Sequence, residues 1–262
     1  MLKYIVKRIG MALATLLVII FVLFVLVRIM PGNPFPSERM SATQIANKRA
    51  EMGLDDPILL QFVRYMKNVL RGDFGKGSSL YNGAPIKTVL SSCVSNSFRI
   101  GGLAILIGTV LGLLLGVCAA LHRGKFLDGF CTVFSIVGVC VPSYVFLIFL
   151  QYNFSYKVSF FPYFFDSSRF LFSAILPALS LSLFTMSTIA RFTRNEMVEV
   201  IDSDYVRLAE SKGMEGGLLI RRHVLRNALV PIVTVLAPLI VDLLTGALVV
   251  EKLYGINGIG KL

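Results

Sequence analysis

The stretch Asp204-Tyr205-Val206-Arg207-Leu208-Ala209-Glu210-Ser211-Lys212-Gly213, continued by Arg221-Arg222-His223-Val224-Leu225-Arg226-Asn227, is a hydrophilic island between long apolar runs. The runs suit a lipid bilayer and the island does not, which points to a partner outside the membrane. Val198, Ile201, Tyr205, Leu208 and Ala209 recur at helical spacing and predict one apolar stripe. Gly213 is placed to end that helix, because glycine takes the left-handed conformation without a Cβ clash. After Gly216-Gly217 a second short helix is expected, with Leu218, Leu219, Arg222 and Leu225 on one side. The expectation is two short helices joined by a glycine turn and lying against the membrane surface. A solvated charged loop without a partner is the competing reading.

Composition supports the bilayer. Of 262 residues, 55% are hydrophobic and 16% charged, and the mean hydropathy is +0.75. Those values indicate an integral membrane protein. The net charge of +11 does not indicate nucleic acid, since the island from Arg191 to Ala228 holds seven Lys/Arg and six Asp/Glu. Basic excess in a membrane protein reflects loops retained in the cytoplasm and contact with anionic lipid. Cys93, Cys118, Cys131 and Cys140 show no metal-ligand spacing and read as small apolar residues. The first apolar run is too long for a cleavable signal peptide.

Five spans are expected. The first, Ile9 to Met30, follows Lys3, Lys7 and Arg8, which place the N-terminus in the cytoplasm. Pro31-Gly32-Asn33-Pro34 breaks it. Residues 31–96 then form an extracytoplasmic region, with an amphipathic helix around Gln61 to Val69 and a turn at Gly72-Asp73-Phe74-Gly75. A membrane-spanning core covers 97–262, with its polar loop at 191–228. The second span, from about Ile100 to Leu121, carries Gly108, Gly112 and Gly116 on one face, a seam for close helix packing. The third, from about Leu127 to Leu150, contains Pro142, which kinks a helix and frees a carbonyl. Pro142 therefore either lines a pathway or shapes packing. An aromatic loop from Gln151 to Arg169 reads as an interfacial belt and cap. The fourth span runs from about Leu171 to Ala190, and the fifth from about Leu229 to Val250. In the fifth, Asp242 is a carboxylate deep in an apolar run. It either lines the pathway or bonds to a neighbouring helix.

No catalytic machinery is visible. Gly255 to Lys261 fits the first seven positions of a phosphate-binding loop, but Leu262 stands where Ser or Thr must hold magnesium. His122 and His223 cannot supply a metal cluster, and His122 reads as a solvated loop residue. Uphill transport would need energy from a partner or an ion gradient.

Several stretches together resemble one family. Asp204-Tyr205-Val206-Arg207-x-Ala209-x-x-x-Gly213 with His223-x-Leu225-Arg226-Asn227-Ala228-Leu229-x-Pro231 is similar to the cytoplasmic coupling loop of ABC importer permeases, above all the dipeptide/oligopeptide/nickel group. Tyr4-Ile5-x-Lys7-Arg8, Arg28-x-x-Pro31-Gly32-Asn33-Pro34, Gly53-Leu54-Asp55-x-Pro57, Arg71-Gly72-Asp73-Phe74-Gly75, Val249-Val250-Glu251 and Gly258-Ile259-Gly260 agree in register. The usual Glu-Ala-Ala is reduced to Arg207-Leu208-Ala209. The resemblance implies an all-α type I permease in a bacterial inner membrane, and a sixth span after Leu262. It also implies a second permease subunit, two cytoplasmic ABC ATPases that bind ATP and magnesium, and an extracytoplasmic substrate-binding protein. This chain itself would hold no cofactor. Asp204, Tyr205, Val206, Arg207, Leu208, Ala209, Gly213, His223, Leu225, Arg226 and Asn227 would couple it to the ATPase. The alternative is an ion-coupled secondary transporter using Asp242. Short peptides are the expected substrate, with nickel chelates, glutathione and sugars among those carried by similar permeases.

Overall fold

Backbone groups inside a bilayer find no water, so they must close their hydrogen bonds within the segment. The described residues accordingly form helices, and none forms a strand. The computed structural model describes residues 2–30, 43–44, 47, 50, 53–75, 77, 84–214, 216–245 and 247–262. The break expected at Pro31-Gly32-Asn33-Pro34 lies outside them. The chain divides into two compact units, residues 1–90 and 91–262.

In the first unit, α1 (Leu2–Ile29) is apolar after its basic first turns, and α2 (Ile58–Leu70) is strongly amphipathic. Phe62 of α2 meets Phe21 and Phe24 of α1 edge-on, with ring centroids 5.0 and 5.5 Å apart. The buried Gln61 amide donates to the carbonyls of Leu54 and Asp56, at 2.9 and 2.6 Å, and so ties the preceding turn to α2. Arg64 closes the same turn through Asp56 at 2.9 Å.

Helix α3 (Ile86–Leu121) begins before the expected second span and runs into the second unit. There follow α4 (Phe126–Cys140), α5 (Ser143–Leu150) with a π-helical extension over Gln151–Lys157, and α6 (Phe170–Ile201). The chain continues with α7 (Asp204–Ser211), α8 (Gly216–Leu219), a π-helical stretch over Ile220–Leu225, α9 (Arg226–Leu244) and α10 (Leu248–Tyr254).

Among the described residues, four helices are long and apolar enough to cross a membrane, and one bent pair makes up to five. The bent pair corrects the third span. Pro142 does not kink a continuous helix: Val141 and Pro142 are both extended, and the halves diverge by 104°. Proline disfavours α geometry at the residue before it, so the helix stops at Cys140. The same residue type at Pro177 leaves α6 unbroken. The helix of the fourth span is also longer than expected, because it runs on past Arg191 and Arg194 to Ile201, with Met197 beyond them fully buried.

The fifth span is displaced toward the N-terminus. Residues 216–244 form one helical stretch, which ends where the Thr245 hydroxyl donates to the Asp242 carbonyl at 2.7 Å. Asp242 thus sits in the last turn of α9, exposed, rather than deep in a span.

Helix α6 is the axis of the second unit, with α4, α5 and α9 packed on it. Its buried residues include many small ones, Ser173, Ala174, Ser180, Ser182, Thr185, Ser187, Ala190 and Thr193, among larger ones such as Leu176 and Ile189. Gly108, Gly112 and Gly116 of α3 lie against α6. A Cβ on Gly116 would stand 2.6 Å from the Ala190 carbonyl oxygen, and one on Gly112 would stand 2.7 Å from that of Met186. Gly116→Ala should therefore destabilise the protein by about 1–3 kcal/mol through overpacking. Gly102→Ala on the same helix meets open space and should stay within ~0.5 kcal/mol of the parent. Thermal unfolding of both variants in one detergent checks the contrast.

Candidate coupling site

The polar island folds as one short helix and the start of a long one. Val198 and Ile201 belong to α6, and the chain turns at Asp202-Ser203, where Ser203 is extended. The expected single stripe therefore splits. Val206 and Ala209 turn inward, 1% and 5% exposed, while Tyr205 and Leu208 face out, 44% and 56% exposed. Asp204 and Arg207 are exposed beside them.

Gly213 ends α7 with φ +81°, the left-handed region. Its N–H donates to the Glu210 carbonyl, and the Met214 N–H donates to that of Ala209, which is the Schellman closure. The second short helix is not separate. Residues 216–219 pass through the π-helical stretch directly into α9. Leu219 is buried while Leu218 is exposed, as neighbours about 100° apart on one helix.

Val206, Ala209, Leu219, Val224 and Ala228 share one apolar cluster with Ala120 of α3 and Met197 of α6, and Leu225 packs against it. The site thus draws together α7, the π-helical stretch and the ends of α3 and α6. His223 is half-buried, and its carbonyl accepts from the exposed Asn227 amide at 2.8 Å. Arg226 is exposed. Pro142 and Asp242 are not part of this cluster.

Two ion pairs brace this end, and sequence reasoning passed over both. Asp128, in the first turn of α4 and 6% exposed, takes both the Nε and Nη2 of Arg194 at 2.7 and 2.9 Å. It also accepts from the Gly124 N–H at 3.0 Å. Arg123 reaches Asp202 at the α6–α7 turn at 2.7 Å, with both partners exposed. Asp128 lies only four residues after Gly124, but nothing in the sequence marks Arg194 as its partner 66 positions away. His122 is no free loop residue, because its Nδ1 lies 2.9 Å from the Cys118 carbonyl oxygen and donates to it.

A second buried carboxylate was quoted in the sequence without a role. Glu251 is 4% exposed and accepts from the Ser97 hydroxyl at 2.7 Å; the same hydroxyl accepts from the Ile259 N–H at 2.8 Å. A Cβ on Gly258 would stand 2.3 Å from the Glu251 carboxyl carbon, and one on Gly260 would stand 2.7 Å from the Leu248 nitrogen. Of the two glycines that imitate a phosphate-binding loop, Gly255 and Gly260, the second makes room for the Leu248 backbone, and Gly258 between them makes room for the internal carboxylate. Nearby, the Tyr254 hydroxyl donates to the Pro162 carbonyl at 2.7 Å, and burial pushes its pKa up to about 12. The exposed Asp166 carboxyl is held below its ordinary range by the hydroxyl and N–H of Ser168.

Fold and site define a polytopic, all-helical membrane protein with an exposed helix and turn at one end of its spans. Residues 108–262 match the family model described as binding-protein-dependent transport system inner membrane component, and residues 1–98 match the model of its N-terminal part. The chain is 35% identical over 261 residues to the dipeptide transport system permease protein DppB of Lactococcus lactis, covering 99% of this chain and 85% of that protein. It is 37% identical to DppB of Bacillus subtilis, covering 100% and 84%. To the oligopeptide transport system permease protein OppB of Salmonella typhimurium it is 35% identical, covering 100% and 86%. The fold is similar to the crystal structure of an amino acid ABC transporter with histidines, at a TM-score of 0.54 and 18% identity, covering 67% of this chain and 76% of that one. The chain belongs to the inner-membrane components of binding-protein-dependent transport systems, the permeases of ABC importers.

Arg194→Leu would leave Asp128 buried and unpaired, at an expected cost of about 3 kcal/mol. Arg123→Ala removes only an exposed pair and should cost under ~1 kcal/mol. Parallel thermal unfolding of the two variants checks the order.

Proposed function

We propose that this chain is a permease subunit of an ATP-driven importer of dipeptides or oligopeptides. Its similarity along the whole chain to DppB and OppB permeases carries the reading. A second permease subunit completes the pathway, an extracytoplasmic binding protein delivers the peptide, and two cytoplasmic ATPases bind ATP and magnesium. The N-terminus and the α7 end then lie in the cytoplasm, in keeping with Lys3, Lys7 and Arg8 ahead of α1.

The exposed Tyr205 and Leu208 are the contact with the ATPase. An aromatic and a leucine presented together on a short helix fit an apolar groove. The buried Val206 and Ala209 fasten the same helix to α3, α6 and the start of α9. Closure of the ATPase pair then moves α7, and the shared cluster passes the displacement to the spans as a rigid-body change. Arg207, His223, Arg226 and Asn227 border the contact. Pro142, at the broken helix, is the pathway-lining candidate, because interrupted helices with free backbone groups serve that role in transporters.

Uptake of a labelled dipeptide by the reconstituted complex is the test. Transport is expected to need ATP and to survive an uncoupler. Uptake that persists without ATP, or collapses with an uncoupler while ATP remains, would instead assign the ion-coupled mechanism through Asp242.

Two variants probe the contact itself. Leu208→Asp should abolish co-purification of the ATPase and lower uptake at least tenfold, while membrane insertion stays intact. Gly213→Val forces a β-branched residue to φ +81° and should weaken the same co-purification. Normal ATPase recovery and normal uptake in both would remove the role assigned to α7.

A further inference from the structure

We propose that α2 is an interfacial helix that lies in the membrane surface at the C-terminal end of α1. Leu59, Val63 and Leu70 enter the acyl layer, and Lys67 and Arg71 face anionic phospholipid headgroups.

The argument begins with the faces of α2. At about 100° per residue, Leu59, Val63 and Leu70 fall within roughly 40° of arc. They are 68%, 61% and 82% exposed, unusual for three large aliphatic side chains on one stripe. Phe62 and Tyr65 lie to one side of that stripe and meet α1. Lys67 and Arg71 lie on the other side, both exposed, with Leu60 between them, and with Arg64, paired with Asp56, beyond. Three sectors surround one helix: aromatic toward α1, aliphatic outward, and a flank that carries the cations. An amphipathic helix at a bilayer surface needs this arrangement.

The contact with α1 sets the depth. With 28 residues, α1 is roughly 42 Å long, more than the ~30 Å of hydrocarbon, so its end reaches the headgroups. Arg28 lies over the Phe24 ring, 5.2 Å from its centroid, and its guanidinium belongs at the headgroup level. Phe24 is four residues before Arg28, about 6 Å along the axis. Phe62 and Tyr65 rest on Phe24 and Phe21, so α2 is held near the depth of 5–10 Å typical of interfacial helices. The ring contacts involve one turn of each helix, which makes the two cross rather than run side by side.

Lipid fits the outward face better than a protein does. Protein interfaces concentrate aromatic residues at their centre, whereas here Phe62 is spent on α1 and the outward stripe is aliphatic. The helix on which α2 rests is itself apolar, exposed along its length and long enough to cross the bilayer.

The chain has no tryptophan, so one introduced tryptophan is a unique reporter. Leu59→Trp, Val63→Trp and Asn68→Trp, the last on the polar face, are made in the full chain. Each is reconstituted in phosphatidylcholine vesicles containing phosphatidylglycerol, with or without brominated acyl chains. Leu59→Trp and Val63→Trp should emit to the blue of Asn68→Trp, lose more intensity to the brominated chains and resist aqueous iodide. Lowering the phosphatidylglycerol fraction should reduce that shielding. Iodide quenching at Val63→Trp equal to that at Asn68→Trp would overturn the proposal. Shielding that appears only after the extracytoplasmic binding protein is added would assign the face to a protein and overturn it equally.

Discussion

The second unit depends on how closely α3 can approach α6. Lipid is as apolar as leucine, so burial of apolar surface does not drive helices together in a bilayer; close packing and polar contacts do. Gly108, Gly112 and Gly116 remove the Cβ atoms that would strike the α6 backbone, and α6 answers with Ser, Thr and Ala. Besides that seam, α6 receives α4, α5 and α9. A wider residue at the seam would move the axis on which three other helices rest.

The same axis places the exposed helix. The end of α6 and the end of α3 supply Met197 and Ala120, and α7 folds back onto them through Val206 and Ala209. The Asp128–Arg194 pair holds the start of α4 to α6 nearby, and Arg123–Asp202 spans the turn into α7. Helix α7 is fastened this way on one side and bare at Tyr205 and Leu208 on the other. The π-helical stretch lets the chain enter α9 without a loop, so the apolar cluster and α9 are joined by continuous helix.

Glu251 shows a parallel economy at Gly258-Ile259-Gly260. A buried carboxylate is costly unless hydrogen bonds meet it. Ser97 donates to its Oε1 and in turn accepts from Ile259, so one hydroxyl links the carboxylate to the glycine segment, while Oε2 is buried without a partner among the described residues. The glycines are there because their missing side chains leave space for Glu251 and for the Leu248 backbone.

Hydropathy determined by itself that the chain spans a membrane, because apolar length against bilayer thickness is a one-dimensional quantity. Glycine spacing on α3 and the turn at Gly213 were equally legible, each being local to one helix or one turn. The family motifs around Asp204 and His223 were legible as residue strings. Tertiary structure alone decided which side of α7 faces out, because a stripe of five apolar residues cannot reveal a turn at Ser203 that divides it. It also decided the pairing of Asp128 with Arg194 and of Glu251 with Ser97, contacts between residues 66 and 154 positions apart. The break at Pro142, the end of α9 two residues after Asp242 and the continuity of residues 216–244 belong with these. Each depends on where a helix can satisfy its backbone against its neighbours, and no count along the sequence contains that.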